Sequence, residues 1–211
     1  MCSRICGYWC LVAQTCIKCL SVNHVEDIHT FVFAGNFELE TIARRTNAFE
    51  QFLGNLCDLP EILQSQEFVS FFYLRELKDG FRAIRRADFS TALGPLQKAI
   101  WTESVFLSGK SIDMLLTVCG LALCMAMLDD IPAAYDYTVM ALKLLEGETT
   151  CVLLLPLLVK AIRLSIILGK DKVEFESSLA ELQSRQTALS EDIPTLHEAF
   201  MKELQNHKRF K

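Results

Sequence analysis

Residues 41–74 read TIARRTNAFEQFLGNLCDLPEILQSQEFVSFFYL, and the fold assignment turns on this stretch. On a helical wheel at about 100° per residue, Ile42, Phe49, Phe52, Leu53 and Leu56 form one apolar face. Arg45 falls inside that face, between the directions of Phe52 and Leu56. A buried, unpaired guanidinium is expensive. Arg45 therefore either snorkels out of the helix start or points at something anionic. Geometry by itself favours snorkelling.

Downstream of this stretch the pattern is one of helix pairs. Arg75 to Ala87 is amphipathic, with Leu74, Leu77, Phe81 and Ile84 on one face. Arg75, Lys78, Arg82, Arg85 and Arg86 occupy an adjacent arc, offset locally by Glu76 and Asp79. That arc reads either as a solvated face or as an auxiliary basic surface for anionic lipid or an acidic partner, where each cation adds on the order of 1 kcal/mol.

The segment from Asp88 to Ile100 reads as a second helix, and Asp130 to Leu142 repeats its form. Each starts with an acidic residue, a bulky residue and small alanines. Pro132 suits a first helical turn. Ile112 to Leu128 is the helix between them. Leu153 to Leu168 is apolar nearly all round and is expected to be central, with Gly169 ending it. Val173 to Leu189 follows, and Ile193 to His207 reads as a capping helix. Stacked helix pairs bury one another and leave a groove suited to a polypeptide.

Composition narrows the function classes. The chain has 211 residues, 51% hydrophobic, with a net charge of −5. It has enough apolar residues for a substantial core. The acidic balance argues against nucleic acid as a partner. Met114 to Leu128 is the longest uncharged apolar run and falls short of the roughly 18 residues of a membrane span. Any membrane contact is expected to be peripheral.

Nine cysteines are present. Cys57, Cys119, Cys124 and Cys151 lie in apolar helical patterns and behave there as small hydrophobes. Cys2, Cys6, Cys10, Cys16 and Cys19 cluster near the start. That cluster has three functional readings: a secretory signal, S-acylation, or a metal site. Cys16, Cys19, His24 and His29 have the spacing of a zinc knuckle. The glycines and aromatics that shape such knuckles are missing between them. An atypical start, with a strand-like fragment at Thr30 to Ala34, is the reading preferred over all three.

No enzyme signature stands out. Ser108-Gly109-Lys110-Ser111 imitates the end of a phosphate-binding loop, but Ser104 stands where that loop needs glycine. It reads as a turn in which Gly109 ends one helix and Ser111 caps the next. The histidines have no nucleophile or carboxylate at motif spacing. No catalytic residues, metal or cofactor are expected.

The run Ile42-Ala43-Arg44-Arg45, then Ala48-Phe49-Glu50-Gln51-Phe52-Leu53 and Leu56, resembles the second half of a phox-homology (PX) domain. Leu59-Pro60-Glu61-Ile62-Leu63 and Phe68-Val69-Ser70-Phe71-Phe72 fit its closing turns. The whole pattern, over roughly residues 36–207, resembles sorting nexins, in particular the subgroup containing sorting nexins twenty and twenty-one. There a PX domain precedes a tetratricopeptide-like PX-associated domain B.

The resemblance implies a mainly α chain in three parts. Residues 1–29 are a Cys-rich start, 30–73 a partial PX domain, and 74–211 a helix-pair array of about seven helices. It implies a phosphoinositide-binding adaptor for protein transport, peripheral on early endosomes, with cargo or a regulator on the helical domain. Arg45 matches the arginine that hydrogen-bonds the inositol ring, and Arg44 is its neighbour. Nothing before Asn36 matches the family's initial sheet, its 3-phosphate grip or its proline-rich lip. Phosphoinositide recognition is therefore expected to be weakened or lost, which leaves a cytosolic protein-interaction module as the alternative. Phe49, Phe52, Phe68, Phe71 and Phe72, without that sheet, should rest on the helical domain or stay exposed.

Overall fold

The structure, a computed structural model, describes residues 39–63, 65–106, 111–185, 193–207 and 210. Among these residues there are ten helices and no strand. The strand expected at Thr30 to Ala34, the turn at Gly109 and the knuckle residues Cys16, Cys19, His24 and His29 lie outside the described residues. The chain divides into two compact units between Ser65 and Gln66.

The first unit contributes α1 (Leu39–Cys57) and the single turn α2 (Pro60–Leu63). Of the apolar stripe read from the sequence, Leu53 is buried. Phe49 is 40% and Phe52 55% exposed.

The second unit begins with α3 (Gln66–Phe71), where Val69, Phe72 and Tyr73 turn inward. Phe72 packs perpendicular to Phe68 and to Phe71, at 5.2 and 5.3 Å between ring centroids. Of the five phenylalanines expected to lack a sheet, Phe72 is thus enclosed and Phe68 half-buried. Phe49, Phe52 and Phe71 stay open.

Seven helices follow: α4 (Leu74–Arg85), α5 (Phe89–Phe106), α6 (Ile112–Met127), α7 (Ile131–Leu144), α8 (Leu154–Leu168), α9 (Val173–Arg185) and α10 (Leu196–Asn206). Successive helices pack on one another from α4 to α9, and α10 returns to α6 and α8. Short connections make each helix run back along its predecessor.

The repeated form noticed in the sequence has a local cause. Both α4 and α6 end on a left-handed, non-glycine residue, Ala87 (φ 58°) and Asp129 (φ 61°). An aspartate follows each and caps the next helix. Asp88 accepts from the Thr91 N–H at 3.1 Å, and Asp130 from the Ala133 N–H at 3.2 Å. The turn reverses the chain within three residues, so α4 lies on α5 and α6 on α7. Gly80 makes the first of these approaches possible. A Cβ there would sit 2.6 Å from Leu96 Cγ.

Leu77, Phe81 and Ile84 of α4 meet Ala92, Leu96 and Ala99 of α5 and the inward side of α6. The most completely enclosed helix is α6, buried from Leu115 through Cys124. The sequence reading gave the central position to α8. In the structure Ile166 and Ile167, near its end, are 59% and 65% exposed. Neighbours cover α6 on several sides, whereas α8 lies toward one end of the array. Gly169 does end α8, in the left-handed conformation at φ 63°. Ser111 caps α6 as expected, accepting from the Met114 N–H at 3.1 Å.

α10 starts with a full capping box, Thr195 with Glu198. It seats Phe200 against Phe81 with centroids 5.6 Å apart, and Phe210 takes another edge of Phe81 at 4.9 Å. That fixes α10 and Phe210 on α4.

Candidate functional site

The two arginines singled out on α1 are both exposed. Arg44 makes a long ion pair with Glu40 at 3.9 Å, one helical turn away. Exposed pairs of this kind contribute little. The face around Arg45 is open to solvent at Ile42, Phe49 and Phe52. The cost of a buried guanidinium therefore does not arise. What α1 presents is a pair of cations beside exposed aromatic rings.

The basic arc of α4 is solvent-facing but partly neutralised. Asp79 takes Arg82 at 2.6 Å and Arg75 at 4.0 Å. Arg85 donates to the backbone oxygen of Phe210 at 3.1 Å. Lys78 is half-buried and Arg86 exposed; neither forms an ion pair with another described residue. The single Asp79 carboxylate is thus shared by two of the five basic side chains, and the carbonyl contact positions Arg85 without offsetting its charge.

Between α5 and α6 lies a buried polar cluster that sequence reading missed. The Tyr73 hydroxyl donates to Asp113 Oδ2 at 2.8 Å. The Thr117 hydroxyl donates to the Asp113 backbone oxygen at 2.8 Å. Glu103 is fully buried, and neither of its carboxylate oxygens has a hydrogen-bond partner. Burial pushes its pKa up to about 8; the neighbouring Thr117 hydroxyl holds it back somewhat, and the Asp113 charge adds to the rise.

A pattern in the sequence could have found it. Glu103 continues the Ala92, Leu96, Ala99 stripe at the next helical step, and Asp113 shares a face with Leu116 and Gly120. The cluster is enclosed, so it bears on stability rather than on an external ligand.

The cysteine thiols of this unit are similarly withdrawn. Burial drives Cys119 far upward and Cys124 up to about 12, so neither is thiolate near neutrality. Among the described residues, no group of three or more His, Cys, Asp or Glu side chains could hold a metal ion.

The second unit also carries a groove. α7, the turn after it, α8 and α9 enclose about 480 Å³. Leu142, Leu158, Phe175 and Leu182 supply apolar lining, while Glu146, Glu148, Glu174 and Glu181 stand with Lys143 among the charged residues. A smaller hollow of about 250 Å³ adjoins it, sharing Leu154 and Leu182. The acidic side is written on α9 as Glu174, Ser178 and Glu181, next to the apolar stripe of Phe175 and Leu182.

This chain is 38% identical to sorting nexin-21 of Mus musculus over 178 residues, covering 80% of the chain and 47% of the relative. It is 37% identical to sorting nexin-21 of Homo sapiens, covering 80% of the chain and 45% of the relative. It is 29% identical to sorting nexin-20 of Bos taurus, covering 83% of the chain and 57% of the relative. The chain spans about half the length of the curated relatives it matches. No protein-family model matches it, and neither does any solved structure.

Proposed function

We propose, starting from homology to sorting nexins 20 and 21, that this chain is a trafficking adaptor that joins a membrane surface to a protein partner. In this reading α1 belongs to the second half of a PX domain, and α4 to α10 form a tetratricopeptide-like PX-associated domain. Similarity to sorting nexin-21 across 80% of the chain carries the reading. The membrane half rests on Arg45 and Arg44, exposed near the start of α1 beside exposed aromatic rings. Attachment is peripheral in this account. No described helix is long and apolar enough to cross a membrane. Early endosomes are the compartment where a phosphoinositide reader of this type would act.

Liposome flotation across a panel of phosphoinositides tests it. Preferential binding to one phosphoinositide, reduced tenfold or more by Arg45→Ala, supports a lipid reader. Equal binding to all anionic vesicles, lost when Lys78, Arg82 and Arg86 are neutralised, would reduce the membrane half to nonspecific attraction.

A second reading, a protein-interaction module without lipid recognition, is favoured by the pairing on α4. Asp79 holds two of the five basic side chains and the Phe210 carbonyl a third. Absence of binding to every vesicle would select it.

A further inference from the structure

The geometry points to the groove of α7, α8 and α9 as the docking site for a short amphipathic peptide helix with basic flanks. This rests on the adaptor reading and specifies the partner's chemistry. The groove is large enough for a few aliphatic side chains and too small for a folded domain. Its apolar lining comes from Leu142, Leu158, Phe175 and Leu182. Such a surface takes a helix that presents apolar anchors three or four residues apart.

Charge selects among such helices. Glu148 and Glu174 stand exposed at the groove, and Glu146, Glu181 and Lys143 complete its charged lining, drawn from three helices and a turn. Glu146 and Glu148 lie just past the end of α7, at the negative pole of its helix dipole. Glu174 and Glu181 stand two turns apart on α9, so they line its length rather than one point.

The opposite end is closed to cations. Lys170 lies 3.8 Å over the Tyr135 ring and 4.0 Å from Asp136. A docked helix should therefore place its Lys or Arg residues toward the exposed Glu148 and Glu174. Complementarity of this sort speeds encounter and excludes acidic competitors. A second copy of this chain, at net charge −5, fits the acidic lining less well. Phe210 itself packs on Phe81, and its carbonyl accepts from Arg85.

Panning a phage-displayed library of random 14-residue peptides on the whole chain tests this. A parallel panning uses the variant Glu148→Lys/Glu174→Lys, both of whose sites are exposed, after its circular-dichroism melt has been matched to the parent. The expected result is enrichment of Lys and Arg around aliphatic pairs. Selected peptides should bind the parent at least tenfold more tightly than the variant, with affinity falling at high salt. Three results overturn the proposal: recovery of no peptide, peptides without basic excess, or equal binding to both proteins. Self-association of the chain, abolished in the variant, would assign the groove to a second copy and overturn it too. The vesicle assay is independent. Peptide binding with no vesicle binding removes only the membrane half of the adaptor reading, and the converse removes only this docking site.

Discussion

Replacing Glu103 by Gln should change how the stability of the helical unit depends on pH. In the fold its carboxyl has a pKa near 8, against 4.5 for an ordinary glutamate. The sign follows from proton binding. Below pH 4.5 the group is protonated in both states and its ionisation does not alter stability. Between 4.5 and 8 the unfolded chain has given up the proton while the folded chain keeps it, so stability falls as pH rises. The loss is about 1.4 kcal/mol per pH unit, or about 4 kcal/mol by pH 7.5. That is a large part of the 5–15 kcal/mol typical of a domain.

Gln matches the shape of the protonated acid and does not ionise. Its amide finds the same surroundings, in which the Glu103 oxygens have no partner. An unsatisfied buried amide costs about 1–3 kcal/mol. The variant should therefore gain about 1–3 kcal/mol at pH 7.5 and show no gain at pH 5.5. Urea unfolding followed by circular dichroism at half-unit steps from pH 5.5 to 8 reads both. Other titrating groups are common to parent and variant, so the difference between the two curves isolates Glu103. Parallel curves would refute the argument, as would a parent that is relatively more stable at the alkaline end.

Two further substitutions probe the packing. Gly80→Ala places a methyl group 2.6 Å from Leu96 Cγ and 2.7 Å from its Cδ2, in a fully buried side chain. It should cost about 1–3 kcal/mol through overpacking, read as a lowered thermal midpoint; an unchanged midpoint would mean that α4 and α5 separate freely. Thr195→Ala removes one arm of the α10 capping box and should cost about 1 kcal/mol. Earlier hydrogen exchange at the start of α10, with α4 to α7 unaltered, is the expected signature.

Much of the helical unit was legible along the chain. The apolar spacing of Leu77, Phe81 and Ile84, the aspartates at 88 and 130, Ser111 and Gly169 are short-range signals acting within a turn or two. They mark where helices begin and end because caps and periodicity are local physics. Residue type alone marked Arg44, Arg45 and the α4 cations, but it could not say which of them pair.

Other features appear only when the helices pack. Glu103 and Asp113 are unremarkable acids until α5 and α6 enclose them. The acidic groove joins Glu146 and Glu148 to Glu174 and Glu181 because α8 brings α7 and α9 alongside. The exposure of Phe49 and Phe52, and the enclosure of α6 in place of α8, likewise depend on which neighbours arrive. Helical periodicity is set by bonds a few residues long. Burial and electrostatic convergence depend on contacts between residues far apart in the chain, and one sequence contains no direct record of those distances.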